Sequence, residues 1–225
     1  MKINFDMLDD SISIKGATSL IIENKSIFAN LVQSIHAYTA ESDDVKIYNN
    51  NYEPLKPDEI MLVTDILGYE LNTAPVIKHL YSDLENQVAE NTELNMKIVS
   101  IMGEITSTIA NEMLDFEPDL SITEITMQKL FKALEIKIET SDLTIYERVS
   151  DIIRVFKYLS KKKLLVFINL GTFLTHKQME ATAEYISFQN MSTLLLDSYP
   201  FHAPNNINQF VMDNDFDVIK TKPAL

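Results

Sequence analysis

The residues that could do chemistry sit at two strand ends and in two charged clusters. Ser19–Phe28 runs from an apolar segment into a tight polar turn, Glu23-Asn24-Lys25-Ser26, and then into a helical pattern. A phosphate-binding loop occupies such a place. It needs glycines so that backbone N–H groups can wrap phosphate, a lysine for the β/γ-phosphates, and a Ser or Thr for magnesium. Lys25-Ser26 has the end of that pattern, but the turn has no glycine. The second strand end is Asn169–Thr175, which closes Lys161–Gly171: three lysines, the apolar run Leu164–Ile168, then Asn-Leu-Gly. Ligands gather at the carboxyl ends of such strands. A nucleotide-hydrolysing enzyme wants a carboxylate for magnesium here, and this chain offers Asn169.

Arg154, Lys157, Lys161, Lys162 and Lys163 are the densest basic set, with a thinner patch at Lys129, Lys132 and Lys137. Such cations either offset the negative end of a helix dipole or bind phosphate. Glu104, Glu112, Asp115, Glu117, Asp119 and Glu124 crowd a stretch without Lys or Arg. That suits a solvated acidic turn or a hard cation such as calcium, which takes roughly six to eight oxygens. Asp213-Asn-Asp-Phe-Asp217 starts like a calcium loop but lacks its central glycine, and Ala224 stands where the closing Glu belongs. The histidines, His36, His79, His176 and His202, are dispersed and read as surface or structural groups.

Net charge is −14, from 33 Asp and Glu against 19 Lys and Arg, so the average surface repels nucleic acid and anionic membranes. A nucleic-acid function needs the cations gathered on one face. The absence of cysteine excludes disulfides and thiolate chemistry and fits a reducing, cytoplasmic setting. No apolar stretch reaches the roughly 18 residues of a membrane span, and the N-terminus lacks a signal-peptide core.

The elements that must position these groups follow from periodicity. Lys2–Phe5, Ser11–Lys15, Ser19–Glu23, Val45–Tyr48, Ile60–Leu67, Ile136–Glu139, Leu164–Ile168, Ser192–Asp197 and Phe216–Lys220 predict strands. Ser26 is the expected cap of a helix over Ile27–Tyr38. Val76, Ile77, Leu80, Leu84 and Val88 mark one helical face. After a break at Glu90–Thr92, Leu94, Ile98, Ile101, Ile105, Ile109 and Met113 mark another, which suits an antiparallel helical hairpin. A shorter helix is expected over 125–134. Capping-box spacing at Thr144–Glu147 and Thr175–Gln178 opens two more helices, and 198–214 reads as irregular. Strands alternate with helices over 1–70 and 139–225, and a helical block, 71–138, interrupts them. The expectation is an α/β head with a mostly parallel sheet and an inserted helical leg.

The wording of the chain adds to this. Glu59–Tyr69 (Glu-Ile-Met-Leu-Val-Thr-Asp-Ile-Leu-Gly-Tyr), Leu80–Gln87, Phe131–Thr140, Phe156–Asn169 and Glu184–Ser187, in that order, resemble the ring-forming adaptation protein of type II-A CRISPR systems. The resemblance implies a head related to P-loop NTPases but without ATPase activity and without bound nucleotide. It implies a homotetrameric ring whose positively lined hole binds the ends of linear double-stranded DNA during spacer acquisition. It implies calcium in support of the ring, and the spacer integrase proteins and effector nuclease as partners.

Lys132 and Lys137 match basic positions of that family, and Lys157 a position basic in some members. Lys25 and Lys161 join them on local charge alone. Glu112, Glu117, Asp119 and Glu124 fall in the family's acidic, calcium-associated segment. The chain departs from the family at Ser121 and Thr123, where acids are frequent, and at Glu135, which replaces a common glycine. The competing expectations are a small NTPase or phosphotransferase with an eroded loop, and a scaffold that assembles through the leg without touching DNA.

Overall fold

A computed structural model describes residues 1–140 and 144–221. The strands are β1 (Lys2–Phe5), β2 (Ile12–Ser13), β3 (Ala17–Ile22), β4 (Val45–Tyr48), β5 (Ile60–Val63), β6 (Leu164–Ile168), β7 (Ser192–Asp197), β8 (Asn208–Met212) and β9 (Val218–Thr221). The helices are α1 (Lys25–His36), α2 (Ala74–Glu90), α3 (Thr92–Met113), α4 (Met127–Ala133), α5 (Ile145–Tyr158) and α6 (His176–Phe188). The chain divides into two compact units, Met1–Glu70 with Thr140–Leu225, and Leu71–Glu139. No helix among the described residues is long and apolar enough to cross a membrane.

In the first unit a six-stranded sheet has the order β5-β6-β7-β3-β8-β9. β5 to β8 run parallel with β3 among them, and β9 returns antiparallel to β8. Every residue of β3 and β6 is buried, as strands covered on both faces require. Leu164, Val166 and Ile168 share one cluster with Leu31 and Ile35 of α1 and with the small antiparallel sheet β2-β1-β4. By alternation Leu165 and Phe167 face the other way. The buried stripe Val149, Ile152, Ile153 and Phe156 of α5 gives that helix its inner face. Both capping boxes form, at Thr144 with Glu147 and at Thr175 with Gln178.

Three expectations about strands need correction. Ile60–Leu67 ends as a strand at Val63, because the Asp65 carboxylate accepts from the Leu67 and Gly68 N–H groups and turns the chain. Ile136–Glu139 forms no strand; the Asn72 side chain instead bonds both the N–H and the carbonyl of Ile138. The stretch expected to be irregular contains β8, which pairs in parallel with β3 from Thr18↔Asn208 to Ile22↔Met212.

In the second unit Asn91 ends α2 and caps α3, its side chain accepting from the Leu94 N–H. Met102, Met127 and Phe131 are its buried centre, with Tyr81, Leu84, Val88 and Ile98 packed around them. Phe131 meets Tyr81 edge-on at 5.8 Å. The stripe read on α3 packs only in part. Ile98 joins the centre, whereas Leu94, Ile101, Ile105 and Ile109 lie 42–48% exposed.

α4 ends in a Schellman turn. The Glu135 N–H bonds the Lys132 carbonyl and the Ile136 N–H the Phe131 carbonyl, with Glu135 at a φ of 51°. Left-handed backbone costs a non-glycine residue roughly 1–2 kcal/mol, part of which glycine returns as unfolded-chain entropy. Glu135→Gly is therefore expected to stabilise this unit by about 0.5–1 kcal/mol. Thermal melting checks this, and an unchanged or lower midpoint contradicts it.

Candidate functional site

The carboxyl edge of the parallel sheet is where a nucleotide site would form, and here it is filled from within. Asn24, not Ser26, caps α1. Its Oδ1 accepts from the N–H groups of Ser26 (3.0 Å) and Ile27 (3.2 Å). Those are the amides a phosphate would use at a helix N-terminus. Lys25 is exposed beside them.

At the end of β6, Asn169 adopts a left-handed backbone (φ 55°), which Asn tolerates better than most residues. Its Oδ1 accepts from both the N–H (3.0 Å) and the hydroxyl (3.1 Å) of Ser198 and so ties β6 to the chain leaving β7. Next to it lies a group that sequence reasoning missed. Asp197, at the end of β7, is 2% exposed. Its Oδ1 accepts from the Gly171 N–H at 2.9 Å, and its Oδ2 is buried with no partner among the described residues. Burial pushes this carboxyl up to about 7 against the single stabilising hydrogen bond. A side chain at Gly171 would run into the Phe201 ring, so the same corner is closed sterically. The available signal was an acid closing the apolar run Leu194-Leu195-Leu196.

The basic residues separate into tied and untied groups. Lys162 donates to the Ile60 carbonyl at 2.6 Å, and burial holds its ammonium below the usual lysine range. Lys163 pairs with Glu59 at 2.5 Å, and the lysine hydrogen bond lowers that carboxyl. Both lysines therefore fasten the start of β5 to the start of β6. Arg154 pairs with Asp151 at 2.8 Å, and Lys129 donates to Thr123 and to the Glu124 carbonyl.

By contrast Lys25, Lys132, Lys137, Lys157 and Lys161 are all exposed, and among the described residues none makes an ion pair. Lys132 and Lys137 belong to the second unit and the others to the first. Within the first unit Lys25 follows the carboxyl end of β3, whereas Lys161 precedes the amino end of β6. Parallel strands put these at opposite edges of the sheet, at least about 16 Å apart for a five-residue strand. The structure therefore groups Lys157 with Lys161 and separates Lys25 from both.

Glu112 lies on the last turn of α3, Glu117 and Asp119 in the following loop, and Glu124 just before α4; all are exposed. Among the described residues no three His, Asp or Glu side chains converge on a point that could hold a metal. The Asp213–Asp217 stretch is the β8–β9 turn, with Asp213 Oδ1 accepting from the Asp215 and Asp217 N–H groups. His176 and His202 do meet, their rings stacked at 5.3 Å.

Residues 37–216 match the family model of CRISPR-associated protein (Cas_Csn2). The chain belongs to the Cas_Csn2 family. A CRISPR-associated protein Csn2 of Enterococcus faecalis is 42% identical over 216 residues, covering 96% of this chain and 97% of that protein. A CRISPR-associated protein Csn2 of Streptococcus agalactiae is 40% identical over 219 residues, 97% of each. The crystal structure of Stu0660 of Streptococcus thermophilus has a TM-score of 0.56 at 15% identity. It covers 99% of this chain and 77% of that one, a likeness of fold. The resemblance read from the sequence therefore holds at the level of family, and the Cas_Csn2 head is the mostly parallel α/β sheet expected for it.

Proposed function

We propose that this Cas_Csn2 protein is a non-catalytic clamp for the ends of linear double-stranded DNA. In this reading it acts as a homotetrameric ring in the cytoplasm during CRISPR spacer acquisition, beside the spacer integrase proteins and the type II effector nuclease. The observation that carries the reading is a contrast. The amides and the Asn169 side chain at the nucleotide edge are satisfied within the chain, while Lys157 and Lys161 stay untied beside lysines that are fastened. The Glu23–Ser26 turn keeps the closing Lys25-Ser26 of a phosphate loop, but it has no glycine and Asn24 already occupies its amides, which weighs against the NTPase or phosphotransferase alternative. Phosphate contacts of this kind bind any sequence and weaken as salt displaces them. Anisotropy with a labelled linear duplex tests this: affinity is expected to fall steeply with added salt, and a flat salt response contradicts it.

Assembly rests on the apolar stripe of α3. Ile101, Ile105 and Ile109 are exposed along α3, and just past its end Leu114 (82% exposed) and Phe116 (63%) add further apolar surface open to a partner. A second copy is the partner proposed. Ile105→Asp is expected to lower the mass in solution measured by light scattering, and an unchanged mass removes the stripe from the contact. Calcium in support of the ring is part of the same proposal.

A further inference from the structure

We propose that a groove between the end of β1 and the flank of α1 takes a short peptide segment of a partner protein, with apolar anchors beside a Lys or Arg. The groove measures about 480 Å³ and lies wholly within the first unit. Its floor is apolar, from Phe5, Ile27 and Leu31, and Met7 stands 47% exposed at its side. Asn30 and Gln33 line the helix wall, and no hydrogen bond of either side chain is seen among the described residues, so both are available to a peptide backbone. Lining residues run along α1 from Ile27 to Ala37, roughly 15 Å at 1.5 Å per residue. That is the reach of about four to five extended residues.

Charge decides the chemistry of the occupant. Asp6 and Asp44 both line the groove, and no lining residue is Lys, Arg or His. Phe5↔Val45 is the last pair of the β1–β4 ladder, and Asp6 and Asp44 flank it as the chain leaves β1 and enters β4. Two carboxylates lining one groove make it negative and repel each other, and neither has an ion pair among the described residues. A guanidinium or ammonium placed between them relieves that repulsion while its apolar neighbours cover the floor. None of the lysines assigned to DNA lines this groove.

Methyl NMR of the full chain, read at Met7, Ile27 and Leu31, tests the proposal with Ac-Arg-Leu-Ser-Leu-Arg-amide as probe. The controls carry Glu for Arg, or Gly for Leu, and spermidine tests charge alone. Saturable shifts are expected with the probe only, weakened roughly fivefold or more in Asp6→Asn with Asp44→Asn, the size of two exposed ion pairs. No saturable shift, an equal response to a control or to spermidine, or full binding by the double variant overturns the proposal.

Discussion

At about pH 8 the Asp197→Asn protein is expected to melt well above the parent, and only below about pH 4, where the unfolded carboxyl is also protonated, should the two nearly coincide. Asp197 sits at the end of β7 with one oxygen held by the Gly171 N–H and the other buried with no partner among the described residues. Its carboxyl is raised from 3.8 to about 7. Between those values the folded chain keeps a proton that the unfolded chain has released, so stability falls as pH rises through this window and levels off above it. Forcing the charged form costs roughly 4 kcal/mol at most, at about 1.4 kcal/mol for each pH unit. Asparagine keeps the acceptor for Gly171 and never ionises. A gap of about 2–4 kcal/mol, roughly 5–10 °C for a chain of this size, should therefore open with pH. Parallel melting curves across the window would show that Asp197 is ionised and compensated in the folded protein.

Charge reversal at the untied lysines has the other large expected effect. Lys132→Glu combined with Lys157→Glu should weaken binding to linear duplex on the order of tenfold or more, equally for unrelated sequences. The salt slope should become shallower by about 1 for each phosphate no longer neutralised. Lys163→Gln is the contrast. Lys163 already spends its charge on Glu59 at 2.5 Å, so its removal should lower the stability of the β5–β6 junction and leave DNA binding in place. If the double reversal leaves binding unchanged, these lysines are not at the interface. If Lys163→Gln weakens DNA binding as much as the double reversal does, the division into tied and untied lysines fails.

What could be read from the chain follows the range of the forces involved. Leu164–Ile168 and Ser192–Asp197 were legible because a strand buried on both faces is apolar throughout, whatever its neighbours. The capping boxes were legible because Thr144 and Glu147 satisfy each other within one turn. β8 was not, since Asn208 and Gln209 open it and only its pairing with β3, far away in sequence, makes it a strand. Ser26 and Asn24 both had cap chemistry, and the choice depended on which side chain reached two amides. The α3 stripe was visible as periodicity, but periodicity alone could not tell that Ile98 packs inward while Leu94, Ile101, Ile105 and Ile109 stay nearly half exposed. Among the site residues, the exposure of Lys157 and Lys161 and the tying of Lys162 and Lys163 could not be told from a run of lysines. The partners Glu59 and Ile60 lie at the start of β5, about a hundred residues away. Asp197 stayed hidden for the same reason, its one donor being Gly171 on another strand's exit.

The central claim is that the protein clamps DNA through its ends. The most direct measurement is competition between a linear duplex and a covalently closed circle of the same sequence for a labelled linear probe, at one salt concentration. A ring threaded by DNA should be displaced readily by the linear competitor and poorly by the circle. Equal displacement by the two forms would contradict the clamp and leave only a basic surface that binds duplex along its side.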